Sequence, residues 1–379
     1  MDFKLDEEQR MMRQVAAQIA DEQLAPRAEE MDETGEVPEE IYKFLGEQGY
    51  FGMFLPEDYG GVELDYVTYA LTMEEFSRGS PAVALVVSVQ NLLVGYPVLK
   101  YGTDAQKDKY LTRIASGGLF GAFAITEDEA GSDAGSVRTT AEKKGDSYVL
   151  SGHKKYITNA GFAGLFLVFA STDPEAGGKG LSCFLVERDT PGLTVGERFD
   201  GMGMRALDVR RLEFDNCEVP ADALLGNEGD GLKIALASLD GSRIGVAGQS
   251  VGIARAAFDE AKKYAGEREQ FGRPIIKFQA IQLYLAEMAV RIEASRLLTL
   301  QAAVAADVGE SFSTEAAMAK LHASETANFC ANLGVQIHGG YGYMKDYAVE
   351  RFFRDARVTE IYEGTSEIQK LVIAGNLLR

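Results

Sequence analysis

Glu363 places a carboxylate in a turn between two segments that read as ordered, within Arg354-Asp355-Ala356-Arg357-Val358-Thr359-Glu360-Ile361-Tyr362-Glu363-Gly364-Thr365-Ser366-Glu367-Ile368-Gln369. Gly364 lets the backbone approach a ligand closely, and Ser366 with Gln369 has the spacing of a capping box, so the carboxylate sits just ahead of a helix N-terminus. With Ile361 and Tyr362 beside it the setting is apolar. Desolvation raises a carboxylate pKa and makes the group a stronger proton acceptor, so Glu363 is a candidate base. The same residues also suit a plain helix cap with solvated acids, and the short motif alone does not separate the two.

Two further segments offer polar groups at strand exits. Phe123-Ala124-Ile125-Thr126-Glu127 followed by Ala130-Gly131-Ser132-Asp133 brings backbone amides, two hydroxyls and a glycine together, and Tyr156-Ile157-Thr158-Asn159-Ala160-Gly161 does the same. Hydroxyl and backbone donors of this kind can address the N and O edge of a flavin while Phe123, Tyr156 and Ile157 cover its faces. Either segment alone is equally an ordinary exit from a strand into a turn. The Gly201-Met202-Gly203-Met204-Arg205-Ala206 string has Rossmann-like spacing, but it precedes a strand-like segment instead of joining strand to helix, so it reads as a loop. There is no Gly-Lys-Ser/Thr phosphate loop, and His153, His322 and His338 are too scattered for a recognisable metal site.

The elements that must position these groups fall into three blocks: a helical domain over 1–120, a β domain over 121–228 and a helical bundle over 229–379. In the first, apolar residues recur three and four apart in Met11-Met12-Val15-Ile19, Pro38 opens a helix Glu39–Gln48, and helices follow over Asp65–Arg78, Pro81–Leu99 and from Thr103-Asp104. The period then changes to two, with strand-like runs Gly121–Thr126, Ser147–Leu150, Leu165–Ala170, Leu181–Val186 and Arg211–Phe214. Long helical stretches return at Leu232–Tyr264, Phe278–Val308 and Thr314–His338, lengths that suit a bundle of antiparallel helices. The fold class expected is mainly α with a central β domain.

Composition sets limits on partners. At 379 residues with 46% hydrophobic and 25% charged residues the profile is that of a soluble globular protein of two or three domains. A formal charge of −20 argues against nucleic acid and anionic membrane surfaces, both of which require clustered Lys and Arg. Cys183, Cys217 and Cys330 read as buried free thiols, which suits a reducing cytoplasm. The start from Met1 carries no export signal pattern, and no run reads as apolar for long enough to span a bilayer.

Taken in order and spacing, several segments resemble the acyl-CoA dehydrogenase family, most nearly its short-chain, butyryl-CoA type. They are Phe123–Asp133, Tyr156–Asn159, Leu239-Asp240-Gly241-Ser242-Arg243-Ile244-Gly245, Arg268-Glu269-Gln270-Phe271-Gly272-Arg273-Pro274, Gln336-Ile337-His338-Gly339-Gly340-Tyr341-Gly342 and Arg354–Gln369, and the likeness covers the chain end to end. The resemblance implies an α–β–α three-domain flavoprotein that binds FAD and has a C-terminal four-helix bundle. Thr126, Ser132 and Thr158 match flavin-binding positions, with Tyr156 covering the ring and Phe123, Ile125, Gly131 and Ile157 beside them. Arg268, Phe271, Gln279, Gln336 and Gly340, with Gln270, Ile337 and Gly339 adjoining, match positions that hold the adenosine and diphosphate of FAD in a neighbouring subunit. Thr365 and Glu367 match contacts from the bound subunit's own C-terminal turn. A planar guanidinium at Arg268 suits a diphosphate.

For the substrate, the resemblance places Ser132, Asp240, Arg243, Tyr362 and Gly364 against an acyl-CoA and makes Glu363 the catalytic base. Asp240 and Arg243, three apart, also suit a plain intrahelical ion pair worth ~0.3 kcal/mol. Some relatives carry the base at the position of Ser242, and a serine is too weak a base. The implied reaction is α,β-dehydrogenation of a short-chain thioester, as in the β-oxidation of fatty acids. Glu363 takes the α-proton, flavin N5 the β-hydride, and the carbonyl oxygen is polarised by the Glu363 N–H and a flavin ribityl hydroxyl. Electrons would pass to an electron-transfer flavoprotein, and the chain would form a homotetramer, a dimer of dimers built through the C-terminal helices. Branched, alicyclic or medium-chain substrates are alternatives, while Ala84, where glutaryl-CoA dehydrogenases place an arginine, disfavours a dicarboxylic one. A non-catalytic binding protein of the same fold would have lost the base or the flavin contacts, and neither is lost here.

Overall fold

The computed structural model describes residues 4–378, so Met1–Phe3, at the start that lacks an export-signal pattern, lie outside the described residues. The chain runs helical, then β, then helical again. Helices α1 (Glu7–Ile19), α2 (Ala28–Thr34), α3 (Glu39–Glu47), α4 (Tyr66–Gly79), α5 (Pro81–Ser88), α6 (Tyr96–Tyr101) and α7 (Asp104–Ala115) make the first unit. A π-helical segment, Val89–Gly95, joins α5 to α6, so that Pro81–Tyr101 is in fact long and apolar enough, by length and composition, to cross a membrane. That corrects the expectation from sequence. Val83, Ala84, Val87, Leu92 and Val94 are all fully buried, which accounts for the apolarity without a bilayer.

The middle unit is a sheet of eight strands: β1 (Gly121–Ala124), β2 (Thr140–Lys144), β3 (Ser147–Thr158), β4 (Leu165–Ser171), β5 (Leu181–Glu187), β6 (Leu193–Arg198), β7 (Val209–Pro220) and β8 (Leu224–Leu225). Their order is β6-β7-β3-β2-β4-β5-β8, with β1 parallel to β4. β2 and β6 were not apparent in the sequence, because both carry charged residues on open faces. Along β3 and β7, Lys154 lies opposite Leu212 but Ile157 lies opposite Arg210, so β3 has one residue more than its partner. This bulge holds Tyr156 at φ +57° and turns its ring out of the sheet.

The last unit contains α8 (Gly231–Glu267), α9 (Gln279–Asp307), α10 (Ser313–His338), α11 (Val349–Arg357) and α12 (Ser366–Leu377), with a small hairpin β9 (Glu269–Gln270) and β10 (Arg273–Pro274) after α8. α8, about 55 Å long at 1.5 Å per residue, packs against α4, α5, α9, α10 and α11. Its contact with α4 depends on glycine. A Cβ on Gly245 would stand 2.0 Å from Tyr69 Oη, and one on Gly252 would stand 2.2 Å from the Glu74 carbonyl oxygen. The two backbones can therefore approach closely only with no side chain between them. Glu74 and Glu75 of α4, both buried, are met by Arg13 of α1, Arg255 of α8 and Arg296 of α9, which ties four helices together around two carboxylates.

The glycine loop 201–206 is a loop, as expected, and it has a structural task. A Cβ on Gly203 would fall 2.3 Å from the Arg354 carbonyl, and the Met204 N–H donates to the Asp355 carboxylate. The β unit is thereby pressed onto α11, the helix that delivers Glu363. Cys183, Cys217 and Cys330 are buried and free, and among the described residues no cluster of His, Cys, Asp or Glu is suited to a metal.

Candidate active site

Glu363 occupies a left-handed turn, with φ +52°, followed by Gly364 at φ +96°. A non-glycine residue in that region stores backbone strain, and something must hold it. The holding groups come from three helices. Gln369 of α12 donates through Nε2 to the Glu363 and Gly364 carbonyls at 3.1 and 2.9 Å, and Arg243 of α8 donates to the Glu363 carbonyl at 3.4 Å. Lys320 of α10 donates to the Gly364 carbonyl at 2.8 Å.

The helix start differs from the sequence expectation. Thr365 is the cap, its hydroxyl accepting from the Ile368 N–H at 3.3 Å, and Ser366 is the first residue of α12. Gln369 does not return to a cap N–H; it serves the strained turn instead. Ile361 is half exposed and so is not part of the apolar wall. The wall includes Tyr362, whose hydroxyl donates to Gln249 of α8.

Burial raises the Glu363 carboxylate above its ordinary range, against the opposing effects of a hydrogen bond from Ser242 and the positive charges of Lys320 and Arg243. Its Oε2 is buried and without a hydrogen-bond partner. Ser242 continues into a buried line of hydroxyls, Ser88 at 3.4 Å from it and Tyr69 donating to Ser88 at 2.8 Å. The Asp240–Arg243 pair closes at 2.6 Å, with Ser313 donating to the same Asp240 oxygen at 3.1 Å. Burial also raises the Asp240 carboxyl. One charged pair and one desolvated, incompletely satisfied carboxylate thus share one end of α8.

The strand exits form a second cluster. Phe123 packs on Phe169, Thr126 accepts the Lys155 N–H through its carbonyl at 2.8 Å, and the exposed Tyr156 ring leans on Phe199. Gly131 and Ser132 are exposed on the loop after β1, and Thr158 ends β3 opposite Val209. Ile157 is a correction: its side chain is buried in the core of the sheet and cannot cover a ring, which leaves only its backbone for that surface. Beneath this edge, the fully buried Lys154 ammonium reaches Glu127 at 2.7 Å and the Ile125 carbonyl at 3.2 Å, fixing both residues that flank Thr126.

A third cluster lies away from these. Arg268, Gln270, Ile337, Gly339 and Gly340 line a cavity of about 580 Å³ together with Tyr264, Ile275, His338, Tyr341 and Met344. The Arg268 guanidinium stands over the Tyr341 ring, and His338 stacks on Tyr264. The Gly339 N–H is spent on the Gln336 carbonyl, but the open space beside Gly339 and Gly340 lets a ligand approach the backbone closely, and with the Arg268 guanidinium and the aromatic rings the cavity suits a diphosphate beside an aromatic base. Phe271, 94% exposed at φ +52°, Gln279 and Gln336 are on the surface and do not line this cavity. Thr365 is spent on the cap and Glu367 is exposed in the first turn of α12. Lys320, Gln249 and the Tyr69–Ser88 line were missed from sequence. The available signal for Lys320 was a lysine on the apolar face of Ala316-Ala317-Met318-Ala319-Lys320.

Family models described as acyl-CoA dehydrogenase N-terminal, middle and C-terminal domains match residues 6–118, 122–217 and 229–378. Acryloyl-CoA reductase (NADH) of Anaerotignum propionicum is 47% identical over 100% of this chain and 96% of its own. The mitochondrial short-chain specific acyl-CoA dehydrogenase of Rattus norvegicus is 46% identical over 99% and 91%. Butyryl-CoA dehydrogenase of Megasphaera elsdenii superposes with a TM-score of 0.97 at 42% identity, covering all of both chains. A chain from a solved structure of the electron transferring flavoprotein of Acidaminococcus fermentans gives a TM-score of 0.98 at 45% identity, again over both chains entirely. The chain belongs to the acyl-CoA dehydrogenase family and is an FAD-dependent oxidoreductase.

Proposed function

We propose that the chain oxidises a short-chain acyl-CoA to its trans-2-enoyl-CoA, with Glu363 as the base that removes the α-proton. The single observation carrying this is the buried, incompletely hydrogen-bonded Glu363 carboxylate, held in a strained turn by donors from three helices. Its raised proton affinity suits it to an α-proton, and the fixed turn keeps it aimed. The Glu363 N–H would meet the thioester oxygen as charge develops there, a role in which one prearranged donor is worth ~3 kcal/mol. Tyr362, bonded to Gln249, excludes water beside it. The Asp240–Arg243 pair would face the pantetheine and nucleotide arms of coenzyme A.

FAD, when bound, supplies the acceptor for the β-hydride. Thr126, Ser132 and Thr158 would address its ring edge and Tyr156 one face. The cavity at Arg268, with the exposed Phe271, Gln279 and Gln336, would reach the diphosphate and adenosine of FAD bound to a second subunit. That motivates a homotetramer, supported also by exposed Leu283, Val290, Leu297 and Val304 on α9. Short chain length is supported by Leu92, which would lie 3.5 Å from a Cβ on Gly241 and so narrows the space next to Ser242. Ala84, buried and apolar, offers a distal carboxylate no partner. An electron-transfer flavoprotein as acceptor, a place in fatty-acid β-oxidation and a cytoplasmic setting belong to the same reading.

A second reading runs the reaction in reverse, as an enoyl-CoA reductase, favoured by the likeness to acryloyl-CoA reductase. Anaerobic mixing with acyl-CoA thioesters of increasing length, one branched and one glutaryl, followed at the flavin absorbance, tests the first. Fastest bleaching with butyryl-CoA supports it. No bleaching by any thioester, with reoxidation of dithionite-reduced protein by crotonyl-CoA, supports the second.

A further inference from the structure

Lys320 is fully buried, yet the nearest group it serves is not a carboxylate. Its Nζ donates to the carbonyl of Gly364 at 2.8 Å, immediately after Glu363, and the carboxylate whose field it feels most is that of Glu363. A buried ammonium is costly unless its charge is used or neutralised. The other cation at the turn, Arg243, is already paired with Asp240 at 2.6 Å. That leaves Lys320 as the buried countercharge available to the base.

We propose that Lys320 is a positioning residue for Glu363: its ammonium pins the Gly364 carbonyl so that the left-handed turn persists, and its charge favours the ionised carboxylate that accepts the proton. The inference rests on the reading of Glu363 as the base. The turn supports the geometric half. Gly364 stands at φ +96°, its carbonyl takes donors from both Lys320 and Gln369, and Glu363 at φ +52° has no freedom to relax while both are in place. The charge distribution supports the electrostatic half. Lys320 faces Glu363 first, then Arg243, which repels it, and then Glu360 and Glu367. Glu363 in turn faces Ser242, Lys320 and Arg243, and the Tyr69 and Tyr362 phenols, which burial and its charge keep protonated. Burial pushes the Lys320 ammonium down to about 8, so the charge is present below that pH, where the base must lose its proton. An opposite charge nearby favours the ionised carboxylate and so offsets part of the desolvation of Glu363.

The test separates hydrogen bonding from charge. Lys320→Gln keeps a donor for the Gly364 carbonyl and removes the charge; Lys320→Arg keeps both; Lys320→Met removes both. For each variant that retains FAD, the rate of flavin reduction by butyryl-CoA is measured against pH. Infrared titration of the Glu363 carboxyl, with Glu363→Gln as the spectral blank, gives the same quantity without turnover. The acid limb and the infrared titration should move upward by about one pH unit or more in Lys320→Gln and Lys320→Met, and return towards wild type in Lys320→Arg. Unshifted titrations in Lys320→Gln and Lys320→Met overturn the inference, since a purely structural lysine has no reason to move them. If Glu363→Gln still reduces flavin at the wild-type rate, the base reading itself fails, a different outcome from an unshifted limb in a chain whose Glu363→Gln variant is inactive.

Discussion

Lys154→Met should weaken both the β unit and the hold on FAD. Lys154 and Glu127 are both buried, 2.7 Å apart, and breaking such a pair from one side costs about 3–5 kcal/mol. The two sides are not equivalent. Glu127 also accepts from the Arg138 N–H at 2.6 Å, the Thr139 N–H at 3.0 Å and the Thr139 hydroxyl at 2.6 Å, so it stays satisfied without the lysine, and Lys154→Met belongs at the lower end, about 3 kcal/mol. Glu127→Gln strands the ammonium with the Ile125 carbonyl at 3.2 Å. It also replaces a carboxylate oxygen that accepts from the backbone by an amide group, so it belongs at the upper end, about 5 kcal/mol, although the ammonium itself, pushed down to about 8 by burial, gives up its proton at pH 7 for only about 1.4 kcal/mol. Because Ile125 and Glu127 flank Thr126, the strand exit loosens in both variants. Thermal release of FAD, followed by flavin fluorescence, should come about 4 °C earlier in Lys154→Met and earlier still in Glu127→Gln. FAD release at the wild-type temperature in both variants would refute the claim that this pair fixes the flavin edge, and a reversed order would refute the asymmetry.

Two further perturbations address other parts of the account. Burial raises the Asp355 carboxyl to about 6, so the folded state favours its protonated form; that contribution is complete below about pH 4 and lost as pH rises through 6. Asp355→Asn keeps an acceptor for the Met204 N–H and removes the titration, so above pH 6 the variant should be more stable than wild type by about 2–3 kcal/mol, a gain that vanishes near pH 4 in denaturation series across pH. Arg268→Ala should weaken FAD binding about 10–100-fold, the value of a charged hydrogen bond, in fluorescence titrations of the cofactor-free protein; equal affinity would remove Arg268 from the site.

Much of this arrangement was legible in the sequence where a long period carried it. α8, α9 and α10 lie within a few residues of the stretches expected, because each buries an apolar face over many turns. β2 and β6 were not legible, since Glu142, Lys143 and Lys144 on one and Glu197 and Arg198 on the other hide the alternation. At the site, Glu363 and the Asp240–Arg243 pair stood out by type and spacing. Capping-box spacing at Ser366 and Gln369 matched a pattern that the backbone did not follow, because Thr365 took the cap and freed Gln369 for the turn. The bulge that turns Tyr156 outward, and sends Ile157 inward, depends on register with β7, which local sequence does not encode. Lys320 and Gln249 reach their partners across 44 and 113 residues, distances over which periodicity is silent.

The central claim is that Glu363 is the base, and one measurement bears on it directly. Glu363→Gln is nearly isosteric, keeps the carbonyl that Gln369 and Arg243 hold, and cannot accept a proton at the relevant position. Mixed anaerobically with butyryl-CoA in a stopped-flow spectrometer, the variant should bind FAD and thioester as the wild type does but leave the flavin oxidised, with a reduction rate lower by about 10³-fold or more, at or above the middle of the general-base range. Bleaching at the wild-type rate would contradict the account and move the search for the base to Asp240.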